Sequence, residues 1–390
     1  MLSFVRSILV SPEAVICFPF RNQHIKKICR LKSTHDDYNI IKKGRDILTV
    51  RKLKEKNMLL FCVVIVLIVV VIATLGRNIY LSITAGPYEV TSDEIAAYYE
   101  NALEEIDDSI KKGVQQIMLG TVAKNHDATL EALKRVKAAG YDYIELNDFM
   151  IEKSSFIVKL LTKFGGMDIG NSGYQDWHTL IYESGLKVSS LHSNLGAIEA
   201  APEKIAQLAK SYGTDTVVIT GMYRFDYSSL EEVTSLAERL DAAGKALKEQ
   251  GIRLLYHNHN CELQKVESGK TAYEFLIENT DAEYVNFELD TYWMADGGAD
   301  LYAIIDKLGS RLEYWHINDR GNTASGPYMT PILKEKATEL GSGNMNLEGL
   351  LAKIKETGVE AVILETHMNW IDNSPVKSIE VSSGFMNEHF

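Results

Sequence analysis

Cysteine is scarce in this chain of 390 residues: Cys17, Cys29, Cys62 and Cys261 are the whole complement. Only Cys261 follows the long hydrophobic run described below, so the body of the protein holds no internal disulfide. There is no Cys-x-x-Cys pair, which excludes a zinc site built from thiolates. Basic charge is scarce too once the N-terminus is set aside. Residues 1–57 carry thirteen Lys and Arg against five Asp and Glu, whereas residues 58–390 carry 28 against 48. A body this acidic argues against nucleic acid as the partner, because binding phosphates needs a basic face. The composition is otherwise that of a globular protein, long enough for one large domain with additions.

What the chain does contain is a stretch of nineteen residues without a charge, Met58–Gly76, reading MLLFCVVIVLIVVVIATLG. That is about the length of one α-helical crossing of a bilayer core, and a buried strand or core helix rarely lacks polar residues for so long. Arg51, Lys52, Lys54 and Lys56 precede it and only Arg77 follows closely. The positive-inside bias then leaves the N-terminus in the cytoplasm and the acidic domain outside it. Ile83-Thr84-Ala85 makes a weak cleavage site, and bulky Phe61 before Cys62 argues against a lipoprotein, so an uncleaved anchor is expected. Residues 1–57 show neither helical nor strand periodicity. Arg51–Met58 would be encoded by purine-rich codons, as a bacterial ribosome-binding site read in frame would be. On that ground residues 1–57 are a doubtful extension and Met58 is the expected true start, which weakens the argument for orientation.

Residues 77–115 read as an acidic helical spacer, with an amphipathic helix over 92–112 capped by Ser92. It either separates the following domain from the membrane or packs on it. From 116 to 390 short apolar β-type runs alternate with helical ones. The expected strands are Gln116–Val122, Tyr143–Leu146, Lys187–His192, Thr216–Thr220, Ile252–His257, Tyr284–Asp290, Leu312–Ile317 and Ala361–Glu365. Eight strands over this length fit a (β/α)₈ TIM barrel. A doubly wound open sheet would show a Gly-rich phosphate turn after its first strand, and none is present. The fold class expected is therefore α/β, a (β/α)₈ barrel preceded by a single N-terminal transmembrane helix.

Polar residues recur where the later strands end: His257-Asn-His-Asn-Cys-Glu262, Glu288-Leu-Asp-Thr-Tyr-Trp293, Trp315-His-Ile-Asn-Asp319 and Leu364-Glu-Thr-His367. In a barrel these ends converge on one face. A single Asp at a strand end is usually a helix cap, and a single His a hydrogen-bonded core residue. Four adjacent strands offering Glu or His, Asp, His and Glu in register are a mixed oxygen and nitrogen metal constellation. Strand alternation sends His257 and His259 to one face, as ligand and base would require. Asp319 reads either as the orienter of His316 or as a helix cap. Trp293 reads as a sugar-stacking face or a core aromatic. Glu145 and His192 face the same mouth and are substrate-contact candidates.

Taken together, Tyr256–Leu263, Glu288–Trp293, His316–Asp319, Glu339-Leu-Gly-Ser-Gly343 and Ile363–Thr366 resemble successive motifs of the xylose isomerase-like barrels. That group contains sugar phosphate isomerases and epimerases, inosose dehydratases and endonuclease IV, and the resemblance covers about residues 115–390. It implies Mn²⁺, Mg²⁺, Co²⁺ or Zn²⁺ held by Asp290, His316 and Glu365 with one ligand from strand five. Many relatives carry Glu where this chain has His257, so either His257 substitutes or Glu262 swings in from the loop. The resemblance also implies a sugar isomerase or epimerase working through an enediolate. Glu365 would be ligand and acid/base, with His259 or Glu262 opposite it. The same site would serve a dehydratase of a 3-keto glycoside or inosose. Endonuclease chemistry needs three zinc ions and further His ligands, and this chain has Trp293 three residues after Asp290.

A membrane-tethered sugar-binding module without turnover is the reading outside enzymology. The partners expected are a small carbohydrate and the membrane through residues 58–76, with no nucleic acid; a homodimer is compatible. The catalytic domain is expected outside the cytoplasm, which suits a free or oxidised sugar better than a phosphate. N-terminal sequencing of the native protein is expected to begin at Met58, and any peptide from residues 1–57 sinks that start site.

Overall fold

The computed structural model describes residues 93–390 except 105–108, 154–158, 160–161, 164–167, 223, 268 and 322–335. The run Met58–Gly76, the start at Met58 and the cap Ser92 lie outside the described residues. Among the described residues no helix is long and apolar enough to cross a membrane.

Eight parallel strands close into a barrel: β1 (Lys111–Gln115), β2 (Tyr143–Asn147), β3 (Lys187–Ser193), β4 (Thr216–Ile219), β5 (Arg253–His257), β6 (Asn286–Asp290), β7 (Leu312–Ile317) and β8 (Ala361–Leu364). Each strand pairs with its sequence neighbours, and β8 closes on β1. The principal helices are α1 (Asp93–Glu104), α2 (His126–Ala138), α3 (Trp177–Ser184), α4 (Pro202–Ser211), α5 (Leu230–Lys248), α6 (Ala272–Asn279), α7 (Leu301–Leu308), α8 (Leu347–Lys355) and α9 (Pro375–His389). Their starts are written in the sequence as short polar side chains that accept an orphan amide of the first turn. Asn125 accepts from Ala128 N, Asp176 from Thr179 N, Ser229 from Glu232 N and Asp300 from Ala303 N. Thr271 and Glu274 complete a reciprocal capping box on α6.

The first strand is not where the sequence suggests. It spans Lys111–Gln115, inside the stretch expected to be spacer, and Gln116–Leu119 forms a 3₁₀ turn. The Gln115 side chain accepts from Ile117 N at 2.6 Å and turns the chain out of the strand. The reason for the misreading is local: Lys-Lys-Gly-Val-Gln has one apolar side chain, while Gln-Ile-Met-Leu is an apolar run. A Cβ on Gly113 in β1 would lie 2.6 Å from Ile363 Cδ1, so that side chain would have to shift to admit it. The helix expected over 92–112 ends at Glu104 and packs on the barrel: Tyr98 donates to Leu186 O and Tyr99 to His178 O, each at 2.7 Å.

Inward-facing residues change character along each strand with the two-residue period of a pleat. Val218, Leu255, Tyr314, Ala361 and Ile363 form an apolar layer inside the barrel. Two residues further on, Leu255 gives way to His257, Tyr314 to His316 and Ile363 to Glu365. The barrel is thus plugged by hydrocarbon below and polar above, at the C-terminal ends of the strands where active sites form.

Two helical glycines separate packing from propensity. A Cβ on Gly244, in α5, would overlap the backbone carbonyl of Tyr284, whereas a Cβ on Gly384, in α9, meets nothing. Gly384→Ala is expected to stabilise by about 0.5–1 kcal/mol through helix propensity, and Gly244→Ala to destabilise by about 1–3 kcal/mol through overpacking. Denaturant melts of the two variants check the opposite signs.

Candidate metal centre

His257, Asp290, His316 and Glu365 each place a ligand atom within 4.8 Å of the others, and all four are buried. They come from the ends of β5, β6, β7 and β8, brought level by a register that pairs Asp290 with His316 and His316 with Ile363, two residues before Glu365. His316 Nδ1 lies 2.9 Å from Glu365 Oε2. Asp290 divides its carboxylate between two tasks. Oδ1 accepts from Trp293 N at 3.0 Å and caps the short helix Thr291–Asp296, while buried Oδ2 has no hydrogen-bond partner. The helix-cap reading of this strand-end Asp is met by Oδ1, and Oδ2 remains for the ligand reading. An orphaned buried oxygen facing two imidazoles and a carboxylate is what a divalent ion would complete, and the donor set suits Mn²⁺, Zn²⁺ or Co²⁺.

Asn258 holds this strand end in place. Its amide donates to Asp290 O at 3.1 Å and its Oδ1 accepts from Asp290 N at 3.0 Å. Asn318 does the same for β8 by donating to Glu365 O at 2.9 Å. Asp319 neither orients His316 nor caps a helix. Its carboxylate gathers the amides of Gly341, Gly343 and Met345, at 3.1, 2.9 and 3.2 Å, and so shapes the Glu339–Gly343 loop.

The two strand-five alternatives sit differently. His257 joins the cluster; Glu262 stands outside it, its carboxylate accepting from Tyr256 OH and His259 N at 3.0 Å each. His259 is half-buried, with its ring centre 5.2 Å from that of His257 and 5.5 Å from that of Trp293. Trp293 is half-buried at the mouth, and on its other contact its ring centre is 5.9 Å from that of His367. Glu145 and His192, the substrate-contact candidates, are both buried and turned toward each other at 2.8 Å. Two residues escaped the sequence reading. Glu288 is fully buried beneath Asp290 and meets His257 Nδ1 at 3.1 Å; the signal was its two-residue spacing from Asp290, which fixes a shared face. His367, two residues past Glu365, lies 3.7 Å from the Glu365 carboxylate.

The protonation states follow from burial and neighbours. Burial, with the charge of His316 added, lowers the pKa of His257 and keeps it neutral. Burial and the nearby His257 push His259 down to about 4, so it is an unprotonated base at neutral pH. Against burial, the carboxylates of Glu288, Glu145 and Glu365 hold His316 well above its ordinary value. Against burial again, the His367 and His316 imidazoles hold Glu365 ionised. Burial and the charge of Glu365 raise Asp290 well above the carboxylate range. His316 and Asp290 must therefore lose protons before they can act as ligands, while His257 and Glu365 need not. Affinity for a divalent ion is expected to rise about ten- to hundredfold per pH unit in the range where one or two protons are displaced. Chelator-competition titrations from about pH 5.5 to 8 check it, and a flat profile contradicts the proton count.

A family model described as xylose isomerase-like TIM barrel matches residues 133–389. Among curated proteins, the inosose dehydratase of Mesomycoplasma hyopneumoniae (strain J) is 25% identical over 227 residues, which are 56% of this chain and 68% of that protein. Among solved structures, a sugar phosphate isomerase/epimerase from Parabacteroides distasonis superposes with a TM-score of 0.55 at 21% identity, over 71% of this chain and 94% of that one. The IOLI protein with a binding zinc atom superposes with a TM-score of 0.50 at 15% identity, over 72% and 98%. These structural likenesses show the fold. With the family match extending over about two thirds of its length, the chain belongs to the xylose isomerase-like TIM barrel family.

Proposed function

We propose that this protein is a metal-dependent sugar isomerase or epimerase that removes a proton next to a carbonyl and returns it through an enediolate. The observation that carries the reading is the buried His257, Asp290, His316 and Glu365 set with the half-buried His259 ring 5.2 Å from that of His257 at the mouth. A divalent ion in that set would polarise a carbonyl and a neighbouring hydroxyl, which acidifies the C–H between them. The chain's own groups divide the remaining work. His259, neutral and half-buried, takes the proton from one side; its backbone is pinned by the Glu262 carboxylate. Glu365 and His367 stand 3.7 Å apart on the β8 side, as the pair through which the proton would be returned. Trp293, set between His259 and His367, offers an apolar face to a sugar ring and keeps water from it.

Dehydration of a 3-keto sugar or inosose is the second reading, supported by the inosose dehydratases among the curated relatives. It needs the same proton removal followed by loss of a β-oxygen, with the β8 side serving as acid. The run Met58–Gly76 would tether the barrel to a membrane outside the cytoplasm, where a free or oxidised sugar is the substrate class. Full-length protein loaded with Mn²⁺ and incubated with keto-sugars in D₂O is expected to exchange the C–H next to the carbonyl. His259→Ala is expected to lower that rate about 10²–10⁴-fold with bound metal unchanged. Product that keeps its water marks isomerisation or epimerisation, and product that has lost it marks dehydration. No bound divalent ion together with no exchange overturns the enzyme reading.

A further inference from the structure

Glu288 points into the barrel one layer beneath Asp290, and there it meets a second set of donors: Glu145, His192 and the far nitrogen of His316. The four ligand atoms lie within 4.8 Å of one another, and all four residues are buried. His316 offers one ring nitrogen to each set. Nδ1 faces Glu365 at 2.9 Å, while Nε2 is 2.6 Å from Glu145 Oε2 and 3.2 Å from Glu288 Oε1. His192 Nε2 sits 2.8 Å from Glu145 Oε2 and 3.2 Å from Glu288 Oε2. Yet His192 Nε2 and Glu288 Oε1 make no aligned hydrogen bond, although both are buried. An ion-pair knot assembled for stability alone would be expected to align its donors, since buried charge repays its desolvation only with good geometry.

We propose that Glu145, His192, Glu288 and His316 form a second divalent-cation site, nested under the first and joined to it through the His316 ring. A His316 ring that ligates both ions must release both of its N–H protons and bridge as an imidazolate; the inner set then holds neutral His192 with the charges of Glu145 and Glu288, and shares the imidazolate charge with the outer ion. Two nitrogens and two carboxylate oxygens are the borderline set that Zn²⁺, Mn²⁺ or Co²⁺ accept. Ligand bonds of about 2.1 Å in tetrahedral array need donor atoms roughly 3.4 Å apart. The His-to-carboxylate separations are 2.6–3.2 Å and the four donors lie within 4.8 Å of one another, so the set brackets that spacing. The inference does not depend on which sugar reaction the mouth performs.

The test is metal counting on the full chain, loaded with excess Mn²⁺ and desalted. Wild type is expected to retain about two ions, and Glu145→Gln and His192→Leu, which leave the outer four residues intact, about one. Wild type retaining one ion or none overturns the site, as does undiminished loading in both variants. Should both variants fail to fold, a Mn²⁺ titration of wild type followed by electron paramagnetic resonance decides. Past one equivalent, the signal of the first ion is expected to broaden through its neighbour; two ions that leave each other's signals unchanged overturn the shared ligand.

Discussion

The His316 ring, fully buried and gripped at both nitrogens, is the contact on which the upper half of the barrel depends. Nδ1 faces Glu365 on the neighbouring strand, and Nε2 reaches across the barrel to Glu145 on β2. Charges in so dry a place are costly unless each meets a counter-charge. Three carboxylates surround this ring and hold it protonated when nothing else supplies positive charge. Closure of the barrel is what makes the arrangement possible, because β2 and β7 are not neighbours in the sheet. An open sheet would leave Glu145 without its partner.

From this ring the rest of the site can be followed outward along hydrogen bonds. Asp290, paired in register with His316, caps the helix that carries Trp293 and so fixes that indole above the cluster. Asn258 and Asn318 clamp the ends of β6 and β8 by their backbones, which leaves the side chains of Asp290 and Glu365 free to face inward. Asp319 and Glu339 shape the loop beyond β7; Glu339 accepts from Ile371 N at 3.2 Å and from Ser378 Oγ at 2.5 Å and ties the loop to α9. Function-bearing side chains here are held by backbones that other polar side chains have fixed, which is how a site on strand ends keeps its geometry.

Much of this was legible in the sequence, and the reasons are specific. Strands β2 to β8 announce themselves as apolar runs between capped helices, so their ends, and with them Asp290, His316 and Glu365, could be located. The first strand could not, because three of its five residues are Lys, Lys and Gly and its pairing is fixed by neighbours rather than by its own hydrophobicity. Helix α1 was readable as a helix, but its docking through two tyrosine hydroxyls is tertiary and leaves no period in the sequence. Glu145 and His192 were found as residues of interest. Sequence spacing gives the face of a strand on which a side chain lies, whereas its partners, such as His316 for Glu145, come from strands far along the chain.

The imidazole at position 257 has a consequence that a carboxylate there would not have. With Asp290 and Glu365 ionised and His257 neutral, the outer ligands carry two negative charges, which a dication cancels. A third carboxylate would leave the ion over-neutralised and a weaker acid toward an incoming carbonyl oxygen. In the reaction we propose, a neutral centre would withdraw electron density from the substrate more strongly, and it would also repel less the negative charge that grows on oxygen as the neighbouring C–H is broken. Glu288 completes the logic by meeting His257 Nδ1, which fixes the ring's orientation while placing its own charge one layer below the reacting atoms. In that reaction the negative charge would lie beneath the substrate rather than beside it, where it orients His257 without opposing the chemistry.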